Sequence, residues 1–179
     1  MRHALCLLFA LALPAGIACA AQVIPTAIEY TNDTIEQGGQ LRACIVTAAI
    51  LTQPAPETVN FQFLLVAGSP GFKVTAGDFD WTKQSLTAKR ISDANFSTAA
   101  FNHPTAFKKK VTTEGQLVAF LTDDSLRKQF VDAFFGGGGY SIEFKRTDVP
   151  TVRTYYIEHG PGDDVVSTFS KCVHTMAGN

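Results

Sequence analysis

The chain has 179 residues, 46% of them hydrophobic and 17% charged, with 15 basic against 16 acidic side chains. A formal net charge of −1 leaves no basic excess of the kind that a general nucleic-acid surface needs, so nucleic acid is not expected as a partner. The length is that of one ordinary domain with enough apolar material to bury a core.

The first twenty residues read as a processing signal. Arg2 and His3 precede an apolar run, ALCLLFALAL, which Pro14 and Gly16 break. Ala18-Cys19-Ala20 then offers the small residues that a signal peptidase accepts. The run is about half the length that a bilayer-spanning helix requires, and no later apolar run approaches that length, so no membrane span is expected. Residues 1–20 are therefore read as a cleaved signal peptide and 21–179 as a single β-rich domain, periplasmic or secreted. Gly16-Ile17-Ala18-Cys19 loosely resembles a bacterial lipobox but lacks the leucine three positions before the cysteine, so a lipid anchor at Cys19 is not expected.

Cys6 and Cys19 would leave with the leader, and Cys44 and Cys172 would remain. In an oxidising compartment two cysteines most simply form one bridge. Two buried thiols or half of a metal site are the other readings. With no CxxC and no histidines at zinc spacing, neither a metal nor another cofactor is expected.

In chain order, residues 24–30 form a short extended candidate, followed by a polar turn through Asn32, Asp33, Gly38 and Gly39. Residues 41–51 read as a strand with Cys44, Val46, Ala48 and Ile50 on one face, because strand side chains alternate. Pro54-Ala55-Pro56 stops the pairing. Val59, Phe61, Phe63 and Leu65 alternate with Asn60 and Gln62, and Phe72, Val74 and Ala76 resume the pattern. The pattern predicts a hairpin over 59–76 that turns at Gly68-Ser69-Pro70-Gly71.

Residues 86–91 offer a further strand, 92–108 show neither period, and 114–121 is too short to classify. Thr122 and Asp123 supply capping oxygens ahead of Leu126, Phe130 and Phe134, a helical face ended by the glycines from Gly136. Tyr140, Ile142 and Phe144 mark a strand, 152–157 its partner, and 163–174 a closing helix. One face of that helix carries Val165, Phe169, Cys172, Val173 and Met176. The fold class is α+β: an antiparallel β-sheet or β-sandwich with two helices, the C-terminal one packed on the sheet. Cys172 and Cys44 then both face the core, where a bridge would fasten helix to sheet.

Several groups could carry chemistry. The four glycines from Gly136 follow a helix, whereas a phosphate loop precedes one, so they read as a helix stop. Asp78 and Asp80 would share a face but lack a third oxygen ligand nearby. His159, or His103, with a carboxylate such as Asp163 or Asp78 could serve a hydrolase, yet no G-x-S-x-G is present and no catalytic residue is assigned. The segment from Asp93 to Lys110 mixes aromatics with charge. Its Phe96, Phe101, His103, Phe107, Lys108, Lys109 and Lys110 are the candidate binding surface, against the alternative that the aromatics anchor the segment to its own core. Asn32-Asp33-Thr34 and Asn95-Phe96-Ser97 match the glycosylation pattern, which would matter only in a eukaryotic host.

From Leu117 onward the element order is a helix ending in an aromatic residue and glycine, the strand YSIEFKR, a second strand and a short helix. This order loosely resembles the C-terminal half of the invasion-associated locus B family of bacterial periplasmic proteins, over about a third of the chain. The resemblance implies a β-rich periplasmic domain without enzymatic activity, and it transfers no functional residue. The expected function is that of an exported, non-enzymatic binding or interaction protein of the bacterial envelope, its partner an unidentified envelope or host protein. A periplasmic hydrolase and a structural envelope component are the alternatives.

Overall fold

Antiparallel pairing between sequence neighbours builds most of the molecule, as the alternation of its apolar residues requires. The computed structural model describes residues 21–23, 25, 27–52, 57–80, 82, 83 and 85–178. The leader expected over 1–20, the lipid-anchor question at Cys19 and the proline-rich stop at 54–56 lie outside these residues.

The larger sheet contains β2 (Ala27–Gln37), β3 (Gln40–Leu51), β4 (Glu57–Val66), β5 (Ser69–Asp80), β9 (Leu117–Leu121) and β8 (Phe107–Val111), in that order, with β6 (Ser85–Lys89) also paired to β5. The smaller sheet runs β1 (Ala21–Val23), β11 (Arg153–Ile157), β10 (Tyr140–Arg146) and β7 (Ile91–Ser97), and its β1–β11 pair is parallel. The helices are α1 (Arg127–Phe135) and α2 (Asp163–Ala177). The fold is therefore α+β and sandwich-like, with the C-terminal helix on the sheet.

The inner faces meet through aromatics. Phe61 of β4 stacks on Phe96 of β7 with ring centroids 5.6 Å apart and lies 5.9 Å from Tyr140 of β10. Against Phe63, α1 supplies Phe130 and Phe134, both fully buried, at 5.2 and 4.9 Å from the Phe63 ring. Truncating one such ring typically costs about 3–5 kcal/mol, a large part of the roughly 5–15 kcal/mol that stabilises a domain. α2 lies against β3 and β2. The sulfurs of Cys44 and Cys172 are within bonding distance and their Cα atoms 5.9 Å apart, the geometry of a disulfide that fixes this helix to β3.

Three sequence expectations need correcting. The polar turn expected from Asn32 is a continuation of β2 to Gln37, because every residue there finds a partner on β3, and only Gly38 and Gly39 turn. The hairpin turns one step early, at Ala67 and Gly68, which both have positive φ (46° and 82°) as a two-residue turn matched to strand twist demands. Gly71 sits inside β5, where a Cβ would collide with the Ala119 carbonyl of β9. The unperiodic stretch 92–108 contains the rest of β7, a short 3-10 turn (Pro104–Ala106) and the start of β8. Its alternation is hard to see because the register shifts at Ser92, so that buried Ile91 and Ala94 stand three residues apart, and because Ala94 is small.

Candidate functional site

Two helical stripes face each other across the end of β4. On α1, Arg127, Val131 and Phe135 stand four residues apart and so share a face. On α2, Val166, Phe169, Ser170, Val173 and His174 follow the same three- and four-residue spacing. With Phe63, Leu65 and Gly68 as floor, these side chains line a groove of about 450 Å³. Phe135 and Phe169 close one side, stacked at 4.7 Å. A second cavity of about 430 Å³ shares Leu65, Gly68 and Val173 with the first and continues between Leu41 and Met176.

The rim is basic. Among the described residues no aspartate or glutamate lines either cavity, whereas Arg127 and His174 line the first and Arg42 the second. Arg127 donates one Nη2 bond of 2.6 Å to Asp124, whose side chain is 88% exposed. The Nδ1 of His174 lies 2.7 Å from the Ser170 carbonyl. A carbonyl only accepts, so Nδ1 carries the proton and Nε2 is left to other partners.

A second polar constellation sits between the sheets at the opposite end of β4. Glu57 is 2% exposed, and its two oxygens divide their partners. Oε1 accepts from Arg146 Nη1 at 2.6 Å, while Oε2 accepts from Arg153 and from the Tyr155 hydroxyl. Arg146 also donates to Asp78 at 2.9 Å and, through Nε and Nη2, to both oxygens of Asp148 at 2.8 and 2.6 Å. Lys89 completes a cluster of three acids and three bases. The forked bond from Arg146 holds the Asp148 carboxyl well below its ordinary range. Burial pushes the Tyr155 hydroxyl up, reinforced by its bond to Glu57. With every charge matched, the cluster joins the sheets and leaves no unbalanced group for chemistry.

A related tie links Tyr30 of β2 to Tyr140 of β10. Tyr30 donates to the His159 carbonyl at 2.7 Å, so the 2.9 Å contact between the hydroxyls has Tyr140 as donor. Burial raises both hydroxyls above their ordinary value.

The segment singled out in the sequence divides. Phe96, Phe101 and Phe107 are 1%, 0% and 8% exposed, so these three aromatics anchor the segment to its own core, the alternative to a binding surface. The His103 ring packs edge-on to Phe101 at 5.1 Å. Lys109 bridges to Asp93 at 2.9 Å and to Asn95 at 2.5 Å, which holds β8 beside β7. Lys108 and Lys110 face solvent. The hydrolase candidates are likewise not assembled. His159 is exposed, Asp78 belongs to the Arg146 cluster, and among the described residues no imidazole is hydrogen-bonded to a carboxylate. No group of three histidine, cysteine or acidic side chains able to hold a metal occurs among them either.

The glycine run does end α1, and Gly139 passes so close to β11 that a Cβ would lie 2.8 Å from the Ile157 carbonyl. Asn32 of the first acceptor triplet donates to the Val165 carbonyl at 3.2 Å, and its Oδ1 is buried.

Both constellations escaped the sequence reading. The groove joins a stripe on α1 to one on α2, and neither is unusual alone. The ion cluster did leave a trace: Glu57, Asp78, Arg146 and Arg153 each extend the apolar face of a strand by one alternate position, as in Glu57-Val59-Phe61-Phe63. A charge in phase with buried residues signals a partner elsewhere in the core.

No known protein family, curated protein or solved structure matches this chain.

Proposed function

We propose that the protein is an exported, non-enzymatic binding protein of the bacterial envelope that holds a small apolar ligand in the groove between α1 and α2. The observation that carries the reading is the groove itself: an aromatic and aliphatic trough with a few polar groups at its edge. Its 450 Å³ falls within the range of roughly 300–1,000 Å³ typical of small-molecule sites. Export is supported by the leader-like sequence of residues 1–20 and by the bonding geometry of Cys44 and Cys172, since such bridges persist in oxidising compartments. The contact surface moves from 93–110 to the helices because that segment turns its aromatics inward.

A neutral fluorescent probe, N-phenyl-1-naphthylamine, tests the reading. It should brighten on binding the purified chain, and Ser170→Trp, at an exposed position on the groove wall, should suppress the signal without lowering the melting temperature. No brightening with the parent protein, or equal brightening with the variant, refutes the groove as the site.

A further inference from the structure

Resting on that reading, we infer that the ligand is a single-chain amphiphile with an anionic head, a long-chain carboxylate, whose head lies at Arg127 and His174 and whose chain runs past Val173 into the second cavity. Two features of the groove lead there. The first is its shape. Two modest cavities meet over Leu65, Gly68 and Val173 and extend to Leu41 and Met176. Such a connected path suits a flexible chain better than one rigid ring system, and Met176 at its end is the residue type that adapts most readily to a mobile apolar guest.

The second feature is charge. An apolar trough strengthens any ion pair at its edge, because less water screens it. The linings offer two fixed cations to such a pair, Arg127 and Arg42, and among the described residues no acid. Arg127 already shows the preference. Its guanidinium holds the carboxylate of Asp124 at 2.6 Å through one nitrogen, leaving further donors of the fork for a second carboxylate. Asp124 is 88% exposed, so water readily replaces the protein's own carboxylate when a ligand head arrives. A cationic amphiphile would meet like charge at the same place.

Competition with N-phenyl-1-naphthylamine tests this, using dodecanoate and hexadecanoate against dodecyl maltoside and dodecyltrimethylammonium, all below their micellar concentrations. Dodecanoate should displace the probe at lower concentration than either twelve-carbon competitor. Lengthening the carboxylate chain should strengthen binding by about fourfold per methylene until the path is filled. Arg127→Gln should weaken carboxylate binding by about tenfold or more relative to that of dodecyl maltoside. Asp124→Asn, which releases the guanidinium, should tighten it. Equal displacement by the neutral, cationic and anionic twelve-carbon compounds, or indifference of the carboxylates to Arg127→Gln, overturns the inference and leaves the groove standing. Failure of the neutral probe to bind at all removes the groove, and the inference with it.

Discussion

Arg146 reaches Glu57 across 89 positions of sequence and from one sheet to the other, with 2.6 Å between Nη1 and Oε1. Both side chains are almost wholly buried, at 6% and 2% exposure. Removing one partner of such a pair strands a charge in the core and typically costs about 3–5 kcal/mol. Arg146→Ala should therefore lower the urea midpoint strongly, and Glu57→Ala should do the same. If either variant keeps the parent's urea midpoint and melting temperature, the pair is not buried in solution.

The acid limb of stability should carry the mark of Asp148. Its carboxyl is held below the ordinary value of 3.8, chiefly by hydrogen bonds from Arg146. A depressed carboxylate stabilises the fold fully above that ordinary value and loses this contribution as pH falls through the folded value. The stability difference between parent and Asp148→Asn should thus be constant near neutrality and shrink below pH 3.8. Urea titrations at several pH values measure it, and a difference that grows on acidification would contradict the assignment.

Cys44 and Cys172 close a loop with a sequence separation of 128, for which chain entropy alone allows a stabilisation of up to about 4–5 kcal/mol. Replacing both cysteines with alanine, or adding reductant, should lower the melting temperature by several degrees. Mass measurement with and without alkylation establishes whether the bond is present, and a reduced protein with unchanged melting would show that it contributes nothing.

The turn between β4 and β5 invites improvement. Ala67 holds a left-handed backbone (φ 46°) in which its Cβ is strained. Ala67→Asn would give Asn-Gly, the pair that best fits this turn, and should raise stability by up to about 1 kcal/mol. Thermal unfolding decides, and a loss would mean that Ala67 packs more usefully than its exposure suggests.

The strands and helices were largely legible because most of them bury one face. Val59-Phe61-Phe63 and Tyr140-Ile142-Phe144 announce themselves by period two, and Leu126-Phe130-Phe134 by the helical repeat. The full length of β2 was hidden, since Asn32 and Asp33 read locally as turn formers and only the continuous ladder to β3 overrides them. The 93–110 segment stayed open between surface and core for a related reason. Phe96 lies between Asn95 and Ser97, and Phe101 and Phe107 each lie between an alanine and a polar residue in sequence, while in space all three converge on Phe130. The groove and the ion cluster depend on which strands and helices become neighbours, and pairwise proximity over some ninety residues leaves no periodic imprint. Charges in phase with apolar faces were the one available hint.

Cys172 belongs to the same helix as Phe169 and Val173, and the bridge to β3 is what clamps that wall of the trough in place. If the groove holds the proposed guest, thiol chemistry would govern how firmly that wall is set. Cargo loading would then follow oxidative maturation rather than accompany synthesis.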